Sequence, residues 1–195
     1  MSHTRAIPTT LALGLAVVAM SIAFVGEAAD AGFQCHGKPA TQVGSAGEDD
    51  LTGTNGDDVI VALGGNDEVD ARDGHDIVCG GADGDLIYGK GGRDLIDGGF
   101  GLDDMQSGLG RDKILGGPNS DHGYGGGGPD IIKGGRGPDR FSGEFGGLIG
   151  GPGPDVISGA RGDDFLDGQG GSDELRGGDG DDTCQNGESQ NSCEH

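Results

Sequence analysis

Tryptophan is absent from this chain, aromatic residues make up 4% of it, and 12 Lys and Arg stand against 34 Asp and Glu. Each shortage excludes something. With few aromatics and 32% hydrophobic residues there is little material for a conventional globular core. Scattered cations among many anions argue against a nucleic-acid partner, because phosphate binding relies on clustered Lys and Arg. No two of the 4 cysteines form a CxxC pair, which removes the usual zinc spacing. The longest uncharged apolar run, Leu11 to Val25, falls short of the ~20 residues that span a bilayer.

What the chain has in excess is glycine, 47 residues, and negative charge, a net of -22. That combination normally means disorder, because self-repulsion opposes collapse and too little apolar surface is buried to offset the ordering entropy. A strict repeat or a bound cation would change that outcome.

Residues 1–31 are a separate segment. Arg5, the run Leu11 to Val25 and the small residues of "GEAADAG" have the order of a secretory signal peptide, with cleavage after Ala28 or Ala31. The expectation is a secreted, extracellular protein with no membrane span after cleavage. In that setting Cys35, Cys79, Cys184 and Cys193 are disulfide candidates.

Laid out in nines from Gly44, skipping residues 143–149 and resuming at Gly150, the chain gives fifteen units over 44–142 and 150–185. Position six is Asp in every unit: Asp49, Asp58, Asp67, Asp76, Asp85, Asp94, Asp103, Asp112, Asp121, Asp130, Asp139, Asp155, Asp164, Asp173 and Asp182. Position four is Gly except at Asp83 and Asn119, residue types that also tolerate positive φ. Position eight is apolar except at Gly123. Side chains alternate along a strand, so positions seven to nine read as a three-residue strand with position eight inward, and positions one to six as a turn.

One such unit cannot bury its apolar residue alone. Units must stack, two to a coil of eighteen residues, with odd and even units building two facing parallel sheets. At ~4.8 Å between strands, about seven coils make a rod roughly 35 Å long. The aspartates then fall into two columns, one through Asp49, Asp67, Asp85, Asp103, Asp121 and Asp139, the other through Asp58, Asp76, Asp94, Asp112 and Asp130. Carboxylates one strand apart repel unless a cation lies between them. Carboxylate and carbonyl oxygens in a flexible turn suit Ca²⁺, which takes 6 to 8 oxygens, better than Mg²⁺.

The pattern GGxGxDxUx, with U a large apolar residue, is met by "GGADGDLIY", "GGPGPDVIS" and "GGDGDDTCQ". It resembles the nonapeptide of RTX (haemolysin-type) calcium-binding repeats, secreted and bacterial in type, across residues 44–185. The resemblance implies an all-β, right-handed parallel β-roll that binds Ca²⁺ in its turns, is disordered without it, and uses the fifteen aspartates above as metal ligands. Asp83, Asn119, Gly123 and the insert "GEFGGLI" depart from it. Pairing aspartates only within each unbroken run gives eleven sites at most, with those between Asp139 and Asp155 in doubt.

Residues 32–43 and 186–195 remain as caps around the roll and its break at 143–149. Cys79, at an outward ninth position beside Val61, is placed to bind Cys35. Cys193, read in register as an eighth position, is placed to bind Cys184 and close the open end of the core. The seventh positions of the even units, Val59, Ile77, Leu95, Lys113 and Ile131, are more apolar than those of the odd units, so that face is either covered by the N-terminal segment or a docking surface. His3, His36, His75, His122 and His195 share no spacing and read as solvated. No nucleophile and base stand together, and 32–43 leaves no room for a catalytic domain. The reading is a non-enzymatic calcium-binding roll with a structural or interaction role outside the cell. The alternative is a calcium-dependent adhesin or ice-binding roll, which needs a flat face of repeated Thr that these strands lack.

Overall fold

The computed structural model describes residues 32–142, 155–161, 163–168, 172–186, 189–191 and 193. Residues 1–31, read above as a signal peptide with two candidate cleavage points, and the insert 143–149 lie outside them. The described chain is all strand and turn. Two parallel sheets face each other, as the alternation of odd and even units requires. One ladder runs from Gln42–Val43 through Val59–Gly64, Ile77–Ala82, Leu95–Phe100, Lys113–Pro118, Ile131–Arg136, Val156–Arg161 and Glu174–Asp179 to Ser189–Asn191. The other runs from Asp50–Thr52 through Glu68–Asp70, Leu86–Tyr88, Asp104–Gly110, His122–Gly127, Arg140–Ser142 and Phe165–Asp167 to Thr183–Gln185.

Register follows the eighteen-residue coil. Ile60 pairs with Val78, Val78 with Ile96 and Ile96 with Ile114, while Val69 pairs with Ile87 and Ile87 with Met105. These position-eight residues, together with Leu51, Ile132, Ile157, Leu166, Leu175 and Cys184, form one continuous buried core. Each fully buried side chain of this kind contributes about 1.5–3 kcal/mol. Gly123 stands in that column between Met105 and Phe141.

Three details differ from the sequence reading. First, the strands of the even sheet run six residues, from position seven to position three of the next unit, so only positions four to six turn the chain. Position two makes this possible: Gly81, Gly99, Gly117 and Gly135 have φ between 101° and 124°, which bends the strand without ending the ladder. Second, a point the sequence left open, the ladders before and after residues 143–149 are paired with each other. Ile132 pairs with Ile157 and Phe141 with Leu166, a spacing of 25, so the ladders on the two sides of the insert share one register. Third, Leu175 pairs with Gln190, three residues before the Cys193 that a strict nonapeptide count would place there. The segment after Cys184 lacks the Gly-Asp turn and closes in fewer residues.

Both expected disulfides are present, Cys35–Cys79 and Cys184–Cys193. An antiparallel pair, Gln34–Cys35 with Lys38–Pro39, is fastened by the first onto the outside of the even sheet, where Cys35, Ala40 and Val61 are buried with Val59 and Ile77 around them. The N-terminal segment thus covers the apolar face over the first two coils and reaches the third through His36 and Asp97; Ile131 and Val156 further along are exposed. Cys193 packs against the core cluster at the other end.

Ile114 is fully buried in the middle of the core line, so Ile114→Ala is expected to cost about 2–5 kcal/mol by the transfer and cavity terms. Thermal unfolding of the calcium-saturated protein checks this. Ile131→Ala, on the outer face, is expected to shift the midpoint far less.

Candidate metal sites

The position-six aspartates end each turn, and all fourteen after Asp49 are buried. Their placement follows one rule. The backbone N–H of each donates to Oδ1 of the aspartate one coil later, from Asp49 to Asp67 and from Asp58 to Asp76 onward, at 2.8–3.1 Å. Asp85 therefore lies with Asp67 and Asp103, and Asp94 with Asp76 and Asp112. The rule holds across the insert, because Asp130 donates to Asp155 and Asp139 to Asp164 at 2.9 and 2.8 Å. The columns are continuous, and the adjacent pairs number thirteen rather than eleven.

The second carboxylate oxygen has no such partner. Oδ2 of Asp67, Asp76, Asp85, Asp94, Asp103, Asp121, Asp130, Asp139, Asp164 and Asp182 is buried without a hydrogen-bond donor among the described residues. A buried, unsatisfied carboxylate oxygen is costly, and ten in two files are stable only if a cation or a proton offsets their charge. The surroundings supply only oxygen. A Cβ placed on Gly116 would lie 2.7 Å from Asp121 Oδ2 and 2.6 Å from the Gly134 carbonyl; on Gly89 it would lie 2.7 Å from Asp94 Oδ2 and 2.6 Å from the Ser107 carbonyl. The position-one glycines keep open a cradle in which a carboxylate and a carbonyl from adjacent coils converge. That donor set is hard, anionic and without N–H groups, and it fits a hard cation such as Ca²⁺.

Burial sets the charge state. It pushes Asp85, Asp94, Asp121, Asp130 and Asp139 up to about 7 and Asp76, Asp103 and Asp164 to about 6, against the lowering effect of the backbone N–H bond to Oδ1. Asp67 and Asp112 move the same way for the same reason, and at Asp112 the Ser107 hydroxyl works against it. Ser107 replaces a position-one glycine, and its hydroxyl donates to the Gly125 carbonyl at 2.6 Å.

Asp49 and Asp58, which head the columns, differ from the rest: Oδ2 accepts from the Ser45 N–H and from the Thr54 N–H and hydroxyl. The sequence reading took them as equal to the other thirteen. The signal was available in Ser45 and Thr54, which occupy position two where glycine is commonest. It also treated the position-one glycines as turn formers and not as the opening of the site. Among the histidines, His36 pairs with Asp97 at 2.9 Å and His75 accepts from the Arg93 N–H, while His122 is exposed; His3 and His195 lie outside the described residues. Cys35, His36 and Cys79 cluster, but the two sulfurs are bonded to each other.

Residues 43–78, 80–114, 115–147 and 149–184 match the family model of the RTX calcium-binding nonapeptide repeat, in four copies. No curated protein matches the chain.

Gly116→Ala puts a methyl group into the cradle, whereas a Cβ on Gly64 meets nothing closer than 3.8 Å. Calorimetric titration is expected to show Gly116→Ala losing a calcium and Gly64→Ala keeping the full count. The carboxyl shifts give a second expectation. Values raised above the unfolded ~3.9 mean the ion-free roll holds protons more tightly than the unfolded chain. That stabilisation is complete below about pH 4 and lost as pH rises through 6 to 7. In chelator, the strand signal in circular dichroism is expected to grow as pH falls across this window, and bound calcium to be released over the same range.

Proposed function

The chain belongs to the family of RTX calcium-binding nonapeptide repeats, and from that premise we propose that it is a secreted, non-enzymatic protein that folds on binding Ca²⁺ and acts structurally or as an interaction module outside the cell. RTX repeats form a calcium-binding β-roll, a structural element and not a catalytic one. The assignment of the position-six aspartates as ligands rests on one observation: buried Oδ2 atoms facing carbonyl oxygens with no donor between them. In this reading each ion is shared by successive coils, with Asp side chains and turn carbonyls contributed from both.

Charge explains why the ion and the fold go together. At -22 the chain repels itself until divalent ions offset the carboxylates. Binding free energy is then folding free energy. Export is supported by the order of features in residues 1–31 and by two disulfides, which persist outside the reducing cytosol.

Circular dichroism and calorimetry with and without Ca²⁺ test the reading at neutral pH: the full strand signal and binding heat are expected only with the ion. A full strand signal in chelator, or no heat, refutes it. Asp85→Asn with Asp103→Asn is expected to remove at least one ion and weaken neighbouring sites, and an unchanged stoichiometry overturns the ligand assignment.

A further inference from the structure

The two turns of the first coil are built differently from all later ones described. From the third unit on, position two and position four carry positive φ wherever they are described, even where the residue is Leu63, Arg72, Lys90 or Asp83, at 73° to 83°. Ser45, Gly47, Thr54 and Gly56 do not. In these first turns the position-two N–H points at the aspartate instead of away from it: Ser45 N–H reaches Asp49 Oδ2 at 2.5 Å and Thr54 N–H reaches Asp58 Oδ2 at 2.6 Å. The hydroxyls complete the closure, since Gly47 N–H donates to Ser45 Oγ and Gly56 N–H to Thr54 Oγ1, each at 3.2 Å. Upstream, the Thr41 hydroxyl donates to Asp58 Oδ1 at 3.2 Å and takes the Val59 N–H at 2.9 Å. Both oxygens of the buried Asp58 carboxylate are therefore satisfied by the protein. A cation there would have to displace N–H donors that point at the same oxygen.

We propose that residues 32–79 form an ion-independent head, in which Asp49 and Asp58 bind no calcium and on which the calcium-dependent roll is built. This deepens the calcium-roll reading and rests on it. Two independent features fix the same boundary. The Cys35–Cys79 disulfide ends at the last residue of the second coil and constrains the unfolded chain over a separation of 44 residues. The apolar cluster of Cys35, Ala40 and Val61 gives this end a second small core that the rest of the roll does not share.

The remaining carboxylates of the head do not contradict this. Oδ2 of a position-six aspartate is enclosed by the coil that follows it, as the Ser107 carbonyl encloses Asp94. With residues beyond 79 unfolded, Asp67 and Asp76 are at the open rim and in water. Only Asp49 and Asp58 are internal to the head, and the Oδ2 of each accepts the position-two N–H of its own turn. Of the thirteen aspartate pairs, Asp49–Asp67 and Asp58–Asp76 take no ion. Eleven pairs are then left as the upper count, with the two pairs across the insert included.

Hydrogen exchange read by mass spectrometry on the full chain, disulfides intact, at neutral pH in chelator, tests the proposal. Residues 42–61 are expected to exchange at least about tenfold more slowly than residues 98–140, and calcium to protect the latter. Equal, fast exchange in both segments in chelator, followed by normal protection of 98–140 on adding Ca²⁺, overturns the head alone. Failure of calcium to protect 98–140 overturns the calcium-roll reading and the head with it. Calorimetry gives the second readout: Asp49→Asn is expected to keep the wild-type calcium count and Asp94→Asn to lose at least one ion. A site lost in Asp49→Asn refutes the assignment.

Discussion

One hydrogen bond organises the molecule: the N–H of each position-six aspartate donates to the carboxylate of the aspartate one coil later. It joins turn to turn as the ladders join strand to strand, so it fixes register at the edges of a roll only one side chain thick. It also forces each carboxylate inward, with Oδ1 satisfied and Oδ2 left facing carbonyl oxygens. A neutral side chain could make the first contact without the second problem. The charged one gives the turn the oxygens proposed to hold a cation, from the same geometry that aligns the coils.

Glycine is the other half of that arrangement. At position one it leaves space beside the carboxylate, and at position two it accepts the positive φ that turns an N–H away from the cradle. The cost is entropic, because each glycine loses more freedom on folding than any other residue. A core with one inward side chain per nine residues offsets little of that. In the proposed reading such a chain has its stability in the ion sites, which makes 47 glycines and a charge of -22 compatible with order.

Much of this was legible in the sequence because the repeat keeps phase. Fixed spacing of Asp and of an apolar residue gave the coil length, the two sheets, the columns and the partners of Asp85 and Asp94. Cys79 beside Val61 gave its disulfide. What escaped were the places where phase and space part. The break at 143–149 interrupts the count but not the ladder, since what must align is Ile132 with Ile157 and not their numbers. Cys193 reaches Cys184 from three residues beyond the strand position that counting assigns. The strands are longer than three residues because glycine at positive φ can stay in a ladder, a property that composition alone reads as a turn.

A solenoid has no closed core, and its two ends must be protected by something other than another coil. Here the ends and the middle use different chemistry. At the C-terminal end Cys184 stays in the core line, with Cys193 covering it through a covalent bond. At the N-terminal end a hairpin, a disulfide and the hydroxyls of Thr41, Ser45 and Thr54 do for the first coil what ions are proposed to do for the rest. Ordinary hydrogen bonding suffices where a hydroxyl residue occupies position two and the peptide turns its N–H to the carboxylate. Where the peptide turns the other way, the same aspartate is surrounded by oxygen. The orientation of that one peptide unit therefore divides the part of the roll that can stand by itself from the part that needs calcium.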